Sequence, residues 1–463
     1  VPALRGLPGG VHVERLPRFH PNLNKALDLV NAPAAWTVLG GIANAGAGMK
    51  IGVLDTGIDQ NHPAFQDPSL TAPPGFPKCQ GADCAYTNNK VIVARSYVQP
   101  LAAGNGTPQD SRPDDLSPRD RVGHGTAVAM IAAGRTNQAP LAPITGVAPQ
   151  AFLGNYKIFG SPGVNDEVFG DVPLMALEDA FNDGMDVALL AIGNPAVWSP
   201  TQQGADCNIT PANSPCDPFA SAVQTAVTSG LAIVISAGND GDSGYQSPAL
   251  NSIDSPGDVA GAITAGATTN AHFLYSTVSV SGGPSSLNPA YATSSDGPKP
   301  PRPLTAPVID VTTLGDNGEA CAPLTGSLAG SIALVQRGGC AFFDKAVNAQ
   351  NAGAAAVILY EMDGSDFLFP LTGLADTGIP AVLIGDTAGV ALKSYLASKP
   401  GASATLNPAL VEVPSSDFDQ VAYFSSQGPS IGASAIKPEV AAVGTSLYPA
   451  TQTYDPNGDL YDP

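Results

Sequence analysis

Lys50-Ile51-Gly52-Val53-Leu54-Asp55-Thr56-Gly57-Ile58-Asp59 is the stretch on which the fold turns. An apolar run that closes on a carboxylate and a Thr-Gly turn reads as a buried strand with an acid at its carboxyl end. Downstream by 69 residues (124 − 55) stands Gly123-His124-Gly125-Thr126-Ala127, an imidazole between glycines. Residues 127–133 carry only small and apolar side chains before Gly134, so the imidazole sits at the mouth of a short buried helix. Taken singly, a strand-end Asp is usually a turn residue and a Gly-flanked His a loop residue. Taken together, they offer what acyl transfer to a serine hydroxyl needs, a base and an acid that fixes the tautomer of that base.

Outward from Asp55, helix and strand alternate. Asn31-Ala32-Pro33 offers a capping Asn and an early Pro for a short helix that precedes the strand. Residues 151–159 read as a strand. Residues 171–183 place Leu174, Leu177 and Phe181 at helical spacing before Gly184, and 186–192 form a continuous apolar strand. Asp217-Pro218 opens a helix with Phe219, Val223 and Val227 on one side, closed by Gly230, and 231–236 is strand again. Strands apolar on both faces and separated by helices predict a doubly wound α/β parallel sheet, whose ligands bind at the carboxyl ends of the strands. Asp55 and Asn239 both lie at such ends.

With Ser236-Ala237-Gly238-Asn239-Asp240-Gly241 added, the three motifs resemble those of the subtilisin-like serine proteases, in the order that family carries them. The resemblance implies that His124 is the general base, that Asp55 orients it, and that Asn239 donates to the oxyanion. A donor of that kind is worth about 3 kcal/mol of barrier. It also implies an extended peptide substrate paired with the backbone of Leu190-Ala191-Ile192-Gly193, which departs at two positions from the Ser-Leu-Gly pattern of the family. Ala237 and Gly238 would wall the pocket for a substrate side chain. No cofactor is required by this chemistry. Calcium is allowed as a structural ion near Asp114, Asp115 and Asp120, with solvated surface charge as the other reading of those acids.

The alternation breaks near Asn270. Residues 271–419 read as an inserted, smaller, mainly β unit with two helices, in which 331–336, 355–360 and 381–384 are strands and 342–351 and 386–397 helices. Gly330-Ser331-Ile332-Ala333-Leu334-Val335-Gln336-Arg337-Gly338-Gly339-Cys340-Ala341-Phe342, followed by Asn351-Ala352-Gly353-Ala354-Ala355-Ala356-Val357-Ile358, resembles the protease-associated domain of large subtilases; an unrelated α/β insert is the alternative. Phe424-Ser425-Ser426-Gln427-Gly428-Pro429 and Ile436-Lys437-Pro438-Glu439-Val440-Ala441-Ala442 return to the protease pattern. The chain therefore divides into an N-terminal extension (1–30), a first catalytic part (31–270), the insert (271–419) and a continuation (420–463). Gly444-Thr445-Ser446 invites assignment as the nucleophile, but Pro449 and Pro456 cannot open the long helix that the family nucleophile requires. The expected serine lies beyond Pro463, so that the chain alone is inactive.

Composition narrows the remaining classes. With 20 Lys+Arg against 40 Asp+Glu, a formal charge of −20 disfavours nucleic acid and anionic membrane as partners, and no apolar run is long enough to span a bilayer. Six cysteines fall into near neighbours, Cys79 with Cys84, Cys207 with Cys216 and Cys321 with Cys340, which predicts three local disulfides and a secreted protein; six reduced core thiols are the alternative. The five histidines lack zinc-site spacing, and the glycines of 41–48 precede the first strand where a dinucleotide site needs them after it. Two functions remain: a secreted serine endopeptidase acting on polypeptides, and a degenerate relative that binds peptides without cutting them.

Overall fold

A computed structural model describes residues 25–106, 114–169, 171–242, 248–374, 377–432 and 435–452. Most of the expected N-terminal extension and the prolines beyond residue 452 lie outside them. The strands β1 (Lys50–Asp55), β2 (Val91–Ser96), β3 (Phe152–Lys157), β4 (Val187–Leu190), β5 (Ala232–Ser236) and β6 (Ile263–Thr268) belong to one sheet. Seven more, β7 (His272–Val280), β8 (Ala290–Ser294), β9 (Leu304–Asp310), β10 (Ile332–Gln336), β11 (Ala356–Tyr360), β12 (Ala381–Ile384) and β13 (Ser403–Pro414), close into a barrel. The chain then returns with β14 (Val440–Val443) to the first sheet, whose order is β14-β6-β5-β4-β1-β3-β2 with every pairing parallel. The fold is thus α/β with a large parallel sheet.

The helices flanking that sheet are α1 (Ala32–Val38), α2 (His124–Ala133), α3 (Val172–Asn182) and α4 (Pro218–Thr228). Neighbouring residues of β1 point to opposite faces. Val53 packs with Met130 and Ala133 of α2 and Trp36 of α1, whereas Leu54 packs with Ala176 and Leu177 of α3 and Val223 of α4. Asp217 caps α4 as the sequence predicts, its carboxylate accepting from the Ala220 amide at 2.9 Å. Asn31 does not cap: it stands before α1 at φ 58° without a side-chain bond to the helix.

In the barrel, β9, β10, β11 and β12 pair parallel with one another in that order, and β7, β8 and β13 complete the circle through antiparallel pairings. The helices α5 (Phe342–Asn351) and α6 (Asp386–Ser398) fall where the sequence places them. All three expected disulfides are formed. Among the described residues no helix is long and apolar enough to cross a membrane.

Candidate active site

Parallel pairing brings the carboxyl ends of β1, β4 and β5 to one edge as immediate neighbours. Asp55 ends β1, and His124 is the first residue of α2, which packs on it. His124 Nδ1 lies 2.8 Å from Asp55 Oδ1, which also accepts from the Thr56 amide at 2.7 Å. Asp55 is 1% exposed and the His124 side chain 53%, so the acid is sheltered while the imidazole reaches solvent. Asp55 Oδ2 is buried without a hydrogen-bond partner.

Glycine makes this approach possible. A Cβ on Gly125 would overlap the Gly57 carbonyl oxygen, and Gly57 itself sits at φ 115°, with Asp120 backbone 2.8 Å from where its Cβ would be. Thr56 Oγ1 then bridges strand and helix, accepting from the Gly125 amide at 2.8 Å and donating to Asp120 Oδ1 at 3.0 Å.

Asp120 is fully buried at the amino end of α2. Besides Thr56, it accepts from the amides of Val122, Gly123 and Thr126 and from the Thr126 hydroxyl. A carboxylate at a helix N-terminus that collects so many donors fixes the helix against the strand. The sequence placed Asp120 with Asp114 and Asp115 as acids open to calcium or solvent. Instead, Asp114 accepts from Ser161 and Asn165, Asp115 from Ser117 and Arg121, and the buried Lys157 ammonium donates to the Arg119 carbonyl at 2.6 Å.

The Asp55 charge raises the pKa of His124 to about 9, with the hydrogen bond to Asp55 and the charge of Asp120 adding and burial opposing. The buried carboxylate thus favours the imidazolium form of this ring. Among the described residues no serine hydroxyl bonds its other ring nitrogen. Ser446 stands at φ 46°, and its backbone carbonyl lies 3.0 Å from His272 Nε2 and accepts from Asn270 Nδ2 at 3.1 Å.

Asn239 follows β5 and is exposed. The loop that carries it is held by the returning chain, since the Asp240 amide donates to Ser426 Oγ at 2.9 Å and the Ser426 amide to the Gly238 carbonyl at 3.0 Å. Of the expected substrate-binding residues, Leu190 and Ala237 are buried, Ala191 and Gly238 are half-buried, Ile192 packs partly on the core and Gly193 is exposed. Sequence reasoning missed the bridging role of Thr56 and the capping role of Asp120, although both sit beside the motifs.

Residues 46–463 match the Subtilase family. The chain belongs to the subtilase family. It is 28% identical over 471 residues to the PI-type proteinase of Lactococcus lactis subsp. cremoris, covering 97% of this chain and 23% of that protein. It is 28% identical over 450 residues to the minor extracellular protease Vpr of Bacillus subtilis (strain 168), covering 94% and 45%. With the subtilisin-like protease SBT1.4 of Arabidopsis thaliana it shares 30% over 426 residues, covering 88% and 50%. This subtilase chain therefore spans between about a quarter and a half of the length of these relatives.

Proposed function

We propose that this subtilase forms the catalytic scaffold of a secreted serine endopeptidase. The observation that carries the reading is the 2.8 Å bond between Asp55 and His124 at the carboxyl edge of the sheet. In the proposed reaction His124 takes the proton of a serine hydroxyl as the oxygen attacks the scissile carbonyl, and Asp55 stabilises the resulting imidazolium. Asn239 donates to the oxyanion as the carbonyl oxygen becomes tetrahedral. His124 then returns its proton to the departing amine, leaving an acyl-enzyme that water opens by the same steps in reverse.

The peptide would lie extended against residues 190–193, whose main chain gives recognition tolerant of sequence. We assign the nucleophile to a serine other than Ser446, because Pro449 follows Ser446 too closely for it to open the long helix that the family nucleophile requires. The barrel is proposed to be a protease-associated domain. Secretion accords with three disulfides and with the excess of acid over base.

Fluorophosphonate labelling of the full-length protein tests the reading. Labelling should survive Ser446→Ala and disappear on His124→Ala. Labelling that persists without His124, or that is lost with Ser446 alone, overturns it.

A further inference from the structure

The two segments that wall the proposed peptide cleft meet at a single acid. Asn194–Pro195, directly after Gly193, pairs antiparallel with Asp254–Ser255. From the other wall, the Ala237 carbonyl accepts from the Asp254 amide at 2.9 Å. Asp254 is thus stitched to both walls by main-chain bonds, and its side chain fills the space that two glycines leave. A Cβ on Gly193 would stand 2.7 Å from Asp254 Cβ and 2.9 Å from Oδ2; one on Gly238 would stand 2.6 Å from Oδ2 and 2.7 Å from Oδ1. Gly238 also lies at φ 108°. Neither wall accepts a side chain without displacing the carboxyl group.

That carboxyl group lacks a counter-charge. Asp254 is 7% exposed, and its Oδ1 is buried with no hydrogen-bond partner. Its charged neighbour is another acid, Asp240, to which it is hydrogen bonded, and Asp258, both of whose oxygens are buried without partners, follows it in the chain. Ser255 gives its hydroxyl to Asp217. The ammonium of Lys437, beside Asp258, is spent on the carbonyls of Val259 and Ala262, on the Thr264 hydroxyl and on Glu439. A buried acceptor of this kind is costly until a donor arrives.

We propose that Asp254 is the floor of the substrate side-chain pocket and selects peptides with lysine or arginine on the acyl side of the bond to be cut. The inference rests on the peptidase reading above. A guanidinium or ammonium group entering between residues 190–193 and 237–238 supplies the donor and charge that Oδ1 lacks. A leucine or phenylalanine side chain leaves Oδ1 unpaired, and a site built around a polar partner rejects ligands that lack it. Burial first, then the bond to Asp240 and its charge, push the Asp254 carboxyl up to about 7; an incoming cation would draw it back into the charged form.

The test uses the full-length protein and fluorogenic peptides that differ only in the residue before the cleaved bond: arginine, lysine, leucine or phenylalanine. Arginine and lysine should lead leucine by roughly tenfold or more in kcat/KM at pH 8. Asp254→Asn should erase that lead. A wild-type ranking with leucine or phenylalanine first overturns the proposal whether or not the variant folds, and so does a lead that survives Asp254→Asn. If no peptide is cut and no fluorophosphonate label is taken up, the peptidase reading fails. Fluorescence anisotropy of the same peptides then judges the pocket alone: tighter binding of arginine than leucine upholds it and equal binding overturns it.

Discussion

In the barrel, the buried Lys345 ammonium donates to the carbonyls of Glu319 at 2.7 Å and Gln336 at 3.1 Å, and the buried Glu361 carboxylate takes both its oxygens to Arg337. At the edge of the parallel sheet, Asp55 Oδ2, Asp254 Oδ1 and both oxygens of Asp258 have no partner. None of the buried side-chain nitrogens and oxygens of the barrel strands and their helices lacks one among the described residues. A charge satisfied by its own fold stabilises that fold and has nothing left to give. An unsatisfied acceptor raises the energy of the empty site and is repaid by whatever ligand or proton it meets. Unpartnered buried acceptors thus fall in the parallel-sheet half and, among the described residues, not in the barrel.

The sharpest break of that contrast is Asp55→Asn in the full-length protein. Peptide hydrolysis should fall about 10⁴-fold, because the amide holds the imidazole in the wrong tautomer while leaving the packing intact. Replacing Arg337 by glutamine in the barrel should leave kcat unchanged in the same assay. A barrel substitution as damaging as Asp55→Asn would erase the distinction between the halves. Asn239→Ala comes next, with a loss of about 10² to 10³ in kcat at nearly constant KM, since its amide acts only as the oxyanion forms. A loss confined to KM would make Asn239 a binding residue.

Stability offers a smaller contrast. Asp120→Ala leaves the amides of Val122, Gly123 and Thr126 at the amino end of α2 without their acceptor and should lower unfolding free energy by about 3 kcal/mol, read from denaturant midpoints. Lys345→Met leaves two barrel carbonyls short of a donor but keeps the volume, and should cost about 1 to 2 kcal/mol. Only the first should also disturb His124. Equal costs, with the imidazole unaffected in both, would show that Asp120 is one more structural charge.

The sequence told the sheet and the barrel apart unevenly, for a physical reason. β1, β4 and β5 are mostly apolar on both faces and run into Gly or Asp within a few residues, so their parallel, buried character can be read locally. β7, β8, β9 and β13 show one face to the barrel interior and the other to solvent, and their partners are remote in sequence, as His272 pairs with Pro414. Serine, threonine and proline in those strands read as loop, and only closure of the barrel makes them strands. Asp55 and His124 were legible because the motif itself carries the glycines that let them meet. Asp254 was not, because its meaning comes from Gly193 and Gly238, which chain folding alone brings to it.

The smallest effect expected is a pH dependence, and its sign is fixed by the site. His124 titrates near 6.5 when unfolded and at about 9 in the folded chain, so folding favours its imidazolium. Its contribution to stability is complete below pH 6.5 and is lost as pH rises through 9. The imidazole is half exposed, so solvent screening holds that contribution to about 1 kcal/mol or less. The ring protons of His124 followed by NMR should give a midpoint near pH 9, and denaturant midpoints should drift downward from pH 6.5 to 9.5. Asp55→Asn removes the largest cause of the shift, so its ring should titrate at or below the ordinary value and its stability should lose the drift. A midpoint near 6.5 in the unaltered chain would mean that the Asp55 charge is not felt at the ring. The buried acid at the sheet edge would then be no more reactive than the paired acids of the barrel.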